Sequence, residues 1–381
     1  MLMALTGWPF MLLLGVVGLL CAVGAYLGWP RWPGRWALPG RAASLLLVMM
    51  LGGVLALAQV NRSYGFYTSV SDLLGRPTSA RSLAMPAYPG GGPQVTVLTS
   101  DWAALGLRAG RHGHGLLLDV LYPGTRSGLT HHGLLYLPAA YFTGNLQRRF
   151  AAVELFHGYP GAPETFPRIM NIQARLETEI AAGRVPPVVL VIPQVYAGGH
   201  SSECVNAVHG EQWETYLSVD VLDDVTRTFR VYASRSWATL GISTGGFCAA
   251  NVALHHPERY AAAASISGYF TAGQDPGTPG LYQGSRFASR ENSPIWWVRY
   301  RAPVAPALFL SASGGDILAM NEARAMTATL RHYAPSLPTT TMLTASGGHN
   351  WGVFSAAFGP AIDWAAEFLP GPLVVPPVNP S

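Results

Sequence analysis

Residues 237–256 constrain the fold of this chain more than any other stretch. WATLGI is an apolar run of strand length, Gly241-Ile242-Ser243-Thr244-Gly245 is a tight turn, and GFCAANVALHH continues at helical spacing. A buried strand that turns sharply into a helix is a unit of a mostly parallel sheet. The turn needs small residues on both sides of the serine, and in this context G-x-S-x-G presents the hydroxyl at the C-terminal edge of the sheet. Outside such a context the same five residues are only a glycine-rich turn with an inert serine.

The surrounding chain repeats the rhythm. QVTVLTS, GLLLDVLYP and HGLLYLPAAYF are β-rich and separated by Gly or Pro, which predicts an antiparallel start. AAVELFHGYPG and PPVVLVIPQV then read as buried strands, TYLSVDVLDDVTRTF as a helix, and AAAASISGY, APALFLSAS and PTTTMLTASGG as further strands. EARAMTATLRHYA and AAFGPAIDWAAEFL read as helices. The expected fold is α/β, a mostly parallel sheet flanked by helices over residues 94–370, preceded by two transmembrane helices. Residues 61–93 read as a linker and 371–381 as a Pro-rich tail.

Charge is distributed unevenly. All 24 basic residues are Arg, and residues 1–60 hold three of them (Arg31, Arg35, Arg41) and no acid. The remaining 321 residues carry 21 Arg against 20 acids, so the basic balance is an N-terminal matter and predicts no nucleic-acid partner. Two uncharged runs predict membrane helices at about 9–28 and 42–60, since a bilayer core needs roughly 20 apolar residues. A signal peptide followed by a buried core helix is the competing reading. The three Arg fall in the short connection, flanked by Trp29, Trp32 and Trp36, so that connection is expected on the cytoplasmic side and the chain after residue 60 outside. That compartment permits disulfides. Cys21 lies within the first span; Cys204 and Cys248 are either a pair closing about 44 residues or two buried thiols.

A serine hydroxyl is a weak nucleophile and needs a base that is itself held by an acid. Strand APALFLSAS ends in Gly314-Gly315-Asp316, and PTTTMLTAS ends in Gly347-Gly348-His349. Both ends lie where ligands collect in open α/β sheets. Asp316 is therefore the expected acid, with Glu322 as the alternative, and His349 the expected base; taken singly, Asp316 could equally be a helix N-cap. The expected oxyanion donors are the amides of Thr244 and Tyr159, because Pro160 has no N–H. His157 is expected to be structural. In the long segment between Ser267 and Arg301, Trp296, Trp297, Tyr269 and Phe270 are candidates to line an acyl site or are ordinary packing. The paired histidines lack a metal-ligand pattern, and neither a metal nor a cofactor is expected.

ELFHGYPGAPETF, GISTGGFCAANVALHHPERYAAAASISGYF, SASGGD and SGGHNWGVF, in this order over about residues 94–370, resemble the putative-esterase family of α/β hydrolases, which includes esterase D and the mycobacterial mycolyltransferases. The resemblance implies the α/β-hydrolase fold, a Ser243–Asp316–His349 triad and action on carboxylic esters. ECVN around Cys204 and GGFCA around Cys248 resemble membrane-anchored actinobacterial members, which implies a disulfide between them. The mycolyltransferases differ in using a cleaved signal and a Glu as the acid.

The expectation is a membrane-anchored, extracytoplasmic serine esterase acting on carboxylic esters, with a lipid or envelope glycolipid as substrate and the bilayer as partner. An acyltransferase passing the acyl group to a sugar or lipid hydroxyl is the first alternative. A catalytically silent hydrolase fold used as a binding module is the second.

Overall fold

The computed structural model describes residues 8–64, 94–233, 235–273, 277, 280–301 and 306–374. The chain divides into two compact units, Met1–Arg81 and Ser82–Ser381.

In the first unit, helices α1 (Trp8–Gly28) and α2 (Ala37–Tyr64) are joined by two short 3-10 turns. The connection packs on α2 where Gly40 meets the ring of Trp32, too closely for a Cβ. Arg41 reaches back over the connection, its Nε donating to the Trp29 carbonyl at 3.2 Å and its guanidinium lying 5.2 Å from the Trp29 ring. Only 6% of the apolar window of the first helix and none of the second is covered by protein. Neither is therefore a core helix in this structure. The expected linker overlaps α2 as far as Tyr64; residues 65–93 lie outside the described residues.

The second unit is built on a nine-stranded sheet in the order β1-β2-β3-β6-β5-β7-β8-β9-β10. These strands are β1 (Thr96–Val97), β2 (Leu116–Pro123), β3 (Thr130–Leu137), β5 (Ala152–Phe156), β6 (Val189–Pro193), β7 (Trp237–Ile242), β8 (Tyr260–Ile266), β9 (Ala307–Ser313) and β10 (Thr339–Thr344). A separate pair joins β4 (Arg148–Arg149) to β11 (Leu373–Val374), so part of the expected tail is strand, while residues 375–381 lie outside the described residues. β1 to β3 are antiparallel, β3 meets β6 antiparallel, and every pair from β6 to β10 is parallel. This is the predicted α/β-hydrolase architecture.

Alternation along the strands feeds two cores. Ala152, Phe156 and Trp237 face a cluster that includes Cys248 and Val252 of helix α4 (Thr244–His255) and Met326 of helix α5 (Ile317–Tyr333). Val153, Leu155, Leu240 and Ile242 face the other, with Phe166, Leu176 and Phe358, Ile362 and Ala365 of helix α6 (Trp351–Ala366). Strands buried on both faces explain the near-continuous apolar runs. Several helices depart from the sequence reading, among them Ile172–Ala181 after β5, Pro294–Arg301 after β8 and one near the start of the unit. QVTVLTS contributes only Thr96–Val97 as strand, and Trp102–Arg111 forms helix α3. Its two glycines hide its pattern, and Gly106 is required because the Phe142 ring occupies the space of a side chain. Similarly, HGLLYLPAAYF is strand only to Leu137; Pro138 stops it and Ala139–Phe142 form a helical turn.

Cys204 and Cys248 are disulfide-bonded across 44 residues. In the chain-entropy model a loop of that length stabilises by roughly 4 kcal/mol. The Cys204→Ser/Cys248→Ser protein should therefore unfold at a clearly lower urea concentration than the parent, read by tryptophan fluorescence. Equal midpoints would contradict a stabilising cross-link.

Candidate active site

The strand order reverses between β5 and β7, because β6 lies on one side of β5 and β7 to β10 extend on the other. Ligands of open α/β sheets bind at the carboxyl ends of strands at such a reversal. Ser243 follows β7 there, and the loop His157–Gly161 follows β5.

The sharpness of the turn explains its glycines. A Cβ on Gly241 would fall on the carbonyl of Gly245, and one on Gly245 would fall on the carbonyl of Phe156. Ser243 itself has φ +59° and ψ −124°, a backbone conformation that L-residues rarely adopt. It is held there by its amide donating to the Ile266 carbonyl at 2.9 Å and its carbonyl accepting from the Gly246 and Phe247 amides at 2.8 and 3.2 Å.

His349 lies beside it. Its Nε2 is 2.8 Å from Ser243 Oγ, and its Nδ1 is 2.6 Å from Asp316 Oδ2. A carboxylate accepts only, so Nδ1 carries the proton and Nε2 is left to accept from the serine hydroxyl. Phe354 sets the ring edge-on at 4.9 Å. The buried Asp316 uses its other oxygen to accept from the Ala319 amide at 3.3 Å, capping helix α5. It is both N-cap and imidazole partner. The loops carrying the pair are tied together: the Gly314 amide donates to the Thr344 carbonyl at 2.9 Å and the Gly315 amide to the Gly347 carbonyl at 2.6 Å.

Glu322, the alternative acid, is engaged elsewhere. It accepts from the Phe270 amide at 2.7 Å and from Thr271 Oγ1 at 3.1 Å, so it anchors the start of the segment after β8. Two of the four candidate acyl-site aromatics, Tyr269 and Phe270, are buried packing residues, and Trp296 and Trp297 are half-buried. Phe270 is buried in the core, and Tyr269 stacks on Phe247 at 4.8 Å. Trp297 lies 4.4 Å from His255, and Trp296 packs on Tyr300 at 5.2 Å. Aromatic content alone could not separate lining from packing.

On the other side of Ser243, the backbone of Gly158 approaches so closely that a Cβ there would lie 3.2 Å from Ser243 Cβ. Among the described residues no acceptor takes the amide of Tyr159, the next residue. Thr244 begins helix α4, with its amide at the helix N-terminus. His157 is fully buried; its Nδ1 donates to the Gly158 carbonyl at 2.9 Å and its Nε2 accepts from the Val195 amide at 3.4 Å. Burial pushes its pKa down to about 4, so it is a neutral structural residue. Tyr196 and Glu203 lie in the loop after β6; Tyr196 carries no motif, its one signal being position just beyond a strand C-terminus, and Glu203 is marked only as the neighbour of Cys204 in ECVN. The Tyr196 hydroxyl binds Gly161, and buried Glu203 accepts from Tyr269, Tyr282 and the Gly273 amide. Among the described residues no group of three His, Cys, Asp or Glu side chains is arranged to hold a metal ion.

A family of proteins described as "Putative esterase" matches residues 127–317, half of the chain, which includes Ser243 and Asp316. The chain is 26% identical over 272 residues to an uncharacterised protein of Corynebacterium glutamicum, covering 66% of this chain and 62% of that one. It is 31% identical over 134 residues to an esterase of Mycobacterium tuberculosis, covering 35% of this chain and 28% of the relative. It thus spans less than two thirds of the length of these curated relatives. A ferulic acid esterase superposes with a TM-score of 0.59 at 17% identity, covering 68% of this chain and 99% of that one, which shows the shared fold.

The state of His157 has a measurable consequence. The unfolded chain takes up a proton near the ordinary value of 6.5, and the folded chain refuses it down to about 4. Stability from this residue is therefore complete above pH 6.5 and lost as pH falls toward 4, by on the order of 3 kcal/mol. Urea midpoints of the parent should drop between pH 7 and 5, and His157→Gln should flatten that limb; an equal drop in the variant would assign it elsewhere.

Proposed function

Because the chain belongs to the putative-esterase family of α/β hydrolases, we propose that it is a serine hydrolase that cleaves carboxylic esters through an acyl-enzyme on Ser243. The observation that carries the reading is the unbroken relay from Asp316 to His349 to Ser243, at 2.6 and 2.8 Å, on the strand-end edge of the sheet.

In this mechanism Ser243 Oγ attacks the ester carbonyl carbon while its proton passes to His349 Nε2. Asp316 keeps the Nδ1 proton in place and stabilises the imidazolium that results. The tetrahedral oxyanion is held by the amides of Tyr159 and Thr244. Its collapse breaks the bond to the alcohol oxygen, which leaves with the proton from His349. Water then attacks the acyl-enzyme, gives its proton to His349, and the acid is released as the Ser243 hydroxyl re-forms. An alcohol acceptor arriving in place of water would yield acyl transfer on the same machinery.

The placement of this chemistry is part of the proposal. Helices α1 and α2 serve as a membrane anchor, supported by their length, composition and uncovered apolar faces. With Arg31 and Arg35 in the connection and Arg41 near the start of α2, the positive-inside rule orients that end of the pair to the cytoplasm and the hydrolase unit outward. A tethered hydrolase facing outward would meet esters of lipids or of the cell envelope.

A fluorophosphonate probe should label Ser243, mapped by mass spectrometry, and Ser243→Ala should lose both label and ester hydrolysis. Asp316→Asn should keep the fold and lower kcat by about three to four orders of magnitude. A labelled parent with undiminished hydrolysis in Ser243→Ala would refute the mechanism. Product analysis with sugar and lipid alcohols added separates hydrolysis from transfer.

For the anchor, protease added to right-side-out vesicles should cleave the chain beyond residue 64. Complete protection of that region would reverse the orientation.

A further inference from the structure

The loop that follows β6 touches the oxyanion loop at every turn. The Tyr196 hydroxyl donates to the Gly161 carbonyl at 2.7 Å and accepts from the Gly161 amide at 2.8 Å. One hydroxyl thus satisfies both backbone groups of the residue that ends the loop. The Tyr196 ring lies edge-on to Tyr159 at 5.0 Å and to His157 at 5.4 Å. The next ties come from its neighbours: the Val195 amide donates to His157 Nε2 at 3.4 Å, and the Tyr159 hydroxyl donates to the Gly199 carbonyl at 2.6 Å.

The far end of the same loop is bonded to the helix that begins at the serine. Cys204 is disulfide-linked to Cys248, which lies in the second turn of α4. Ser202 Oγ braces the span between, donating to the Val195 carbonyl and accepting from the Cys204 amide at 2.9 Å. The contacts close a ring: from Ser243 along α4 to Cys248, through the disulfide to Cys204, back to Tyr196, across to the oxyanion loop, and through Gly158 onto Ser243 again.

We propose that Tyr196 is a positioning residue that holds the Tyr159 amide at hydrogen-bonding distance from the oxygen developing next to Ser243. This rests on reading Ser243 as the nucleophile and the Tyr159 amide as an oxyanion donor. Pro160 leaves Tyr159 as the donor nearest the turn, and the Gly161 side of the turn is held by the Tyr196 hydroxyl. Removing that hydroxyl frees Gly161 to shift and carries Tyr159 with it. A donor matched to the tetrahedral oxygen stabilises the transition state and not the bound ester, so the effect belongs in kcat.

Tyr196→Phe keeps both ring contacts and deletes only the hydroxyl. Deleting one oxyanion donor outright typically costs about 100- to 1000-fold in kcat. A displaced donor should cost less, about 10- to 50-fold. KM for a p-nitrophenyl ester should stay within about threefold, and the melting temperature close to that of the parent. A trifluoromethyl ketone, which forms a tetrahedral adduct with a serine oxygen, should lose affinity by the same factor as kcat/KM; a merely structural role would not produce that proportionality.

An unchanged kcat, or a fall in kcat with inhibitor affinity retained, overturns the proposal. Should Tyr196→Phe misfold by circular dichroism, Tyr159→Phe cuts the neighbouring tie to Gly199 and is held to the same criteria. Full hydrolysis by Ser243→Ala overturns the reading of the site itself, and this proposal with it; intact Ser243 dependence with an unaffected Tyr196→Phe overturns this proposal alone.

Discussion

The structure depends on one close backbone approach, the packing of the β7 turn against the end of β5. Gly245 sits on the Phe156 carbonyl and Gly241 on the carbonyl of Gly245, with no room for a side chain at either place. That contact forces Ser243 into a positive φ, a conformation worth about 1–3 kcal/mol of strain in a non-glycine residue. Such strain persists only where the surroundings over-determine it. Here β7 is paired in parallel on both sides and buried on both faces, and the Ser243 amide is bonded to the neighbouring strand. The exposed hydroxyl is the visible end of a rigid core.

Much of this was legible because the strand–turn–helix pattern and the glycines are direct consequences of backbone geometry. The Ser and Asp positions could be read because each follows an apolar strand; His349 follows a Thr-rich strand, and its signal is the Gly347-Gly348 turn just before it. What the sequence could not separate were roles that depend on neighbours distant along the chain. Glu322 and Asp316 are six residues apart, and only the start of α5 decides which faces His349. Tyr269 and Phe270 have the composition of a binding site but point into cores. Tyr196 has no motif at all, since its significance lies in a hydroxyl meeting both backbone groups of one residue 35 positions earlier. Helix α3 was missed for a local reason: its glycines serve packing against Phe142 and weaken the helical signal.

The ambiguity at Asp316 turned out not to be a choice. Its two carboxylate oxygens divide between capping α5 and holding His349. This ties the direction of the carboxylate to the start of a 17-residue helix packed on the sheet, and so restricts how far it can swing away from the imidazole. The partner loop is fixed as firmly, by backbone hydrogen bonds between Gly314–Gly315 and the residues that lead into His349. A flexible acid would give the histidine two tautomers to choose from; this one leaves a single arrangement.

The two halves of the site are held by different means. Ser243, Asp316 and His349 follow β7, β9 and β10, within one block of parallel strands, so sheet register sets their mutual positions. The loop His157–Gly161 follows β5, across the point where strand order reverses, and the parallel neighbour of β5 on the far side is β6. Parallel pairing places the loops after β5 and β6 at the same edge, which is why Tyr196 can reach Gly161. The loop after β6 is irregular and has no strand register of its own to hold it. A covalent link to helix α4 supplies that reference, and the Cys204–Cys248 bond lies where the register of the sheet no longer fixes the geometry.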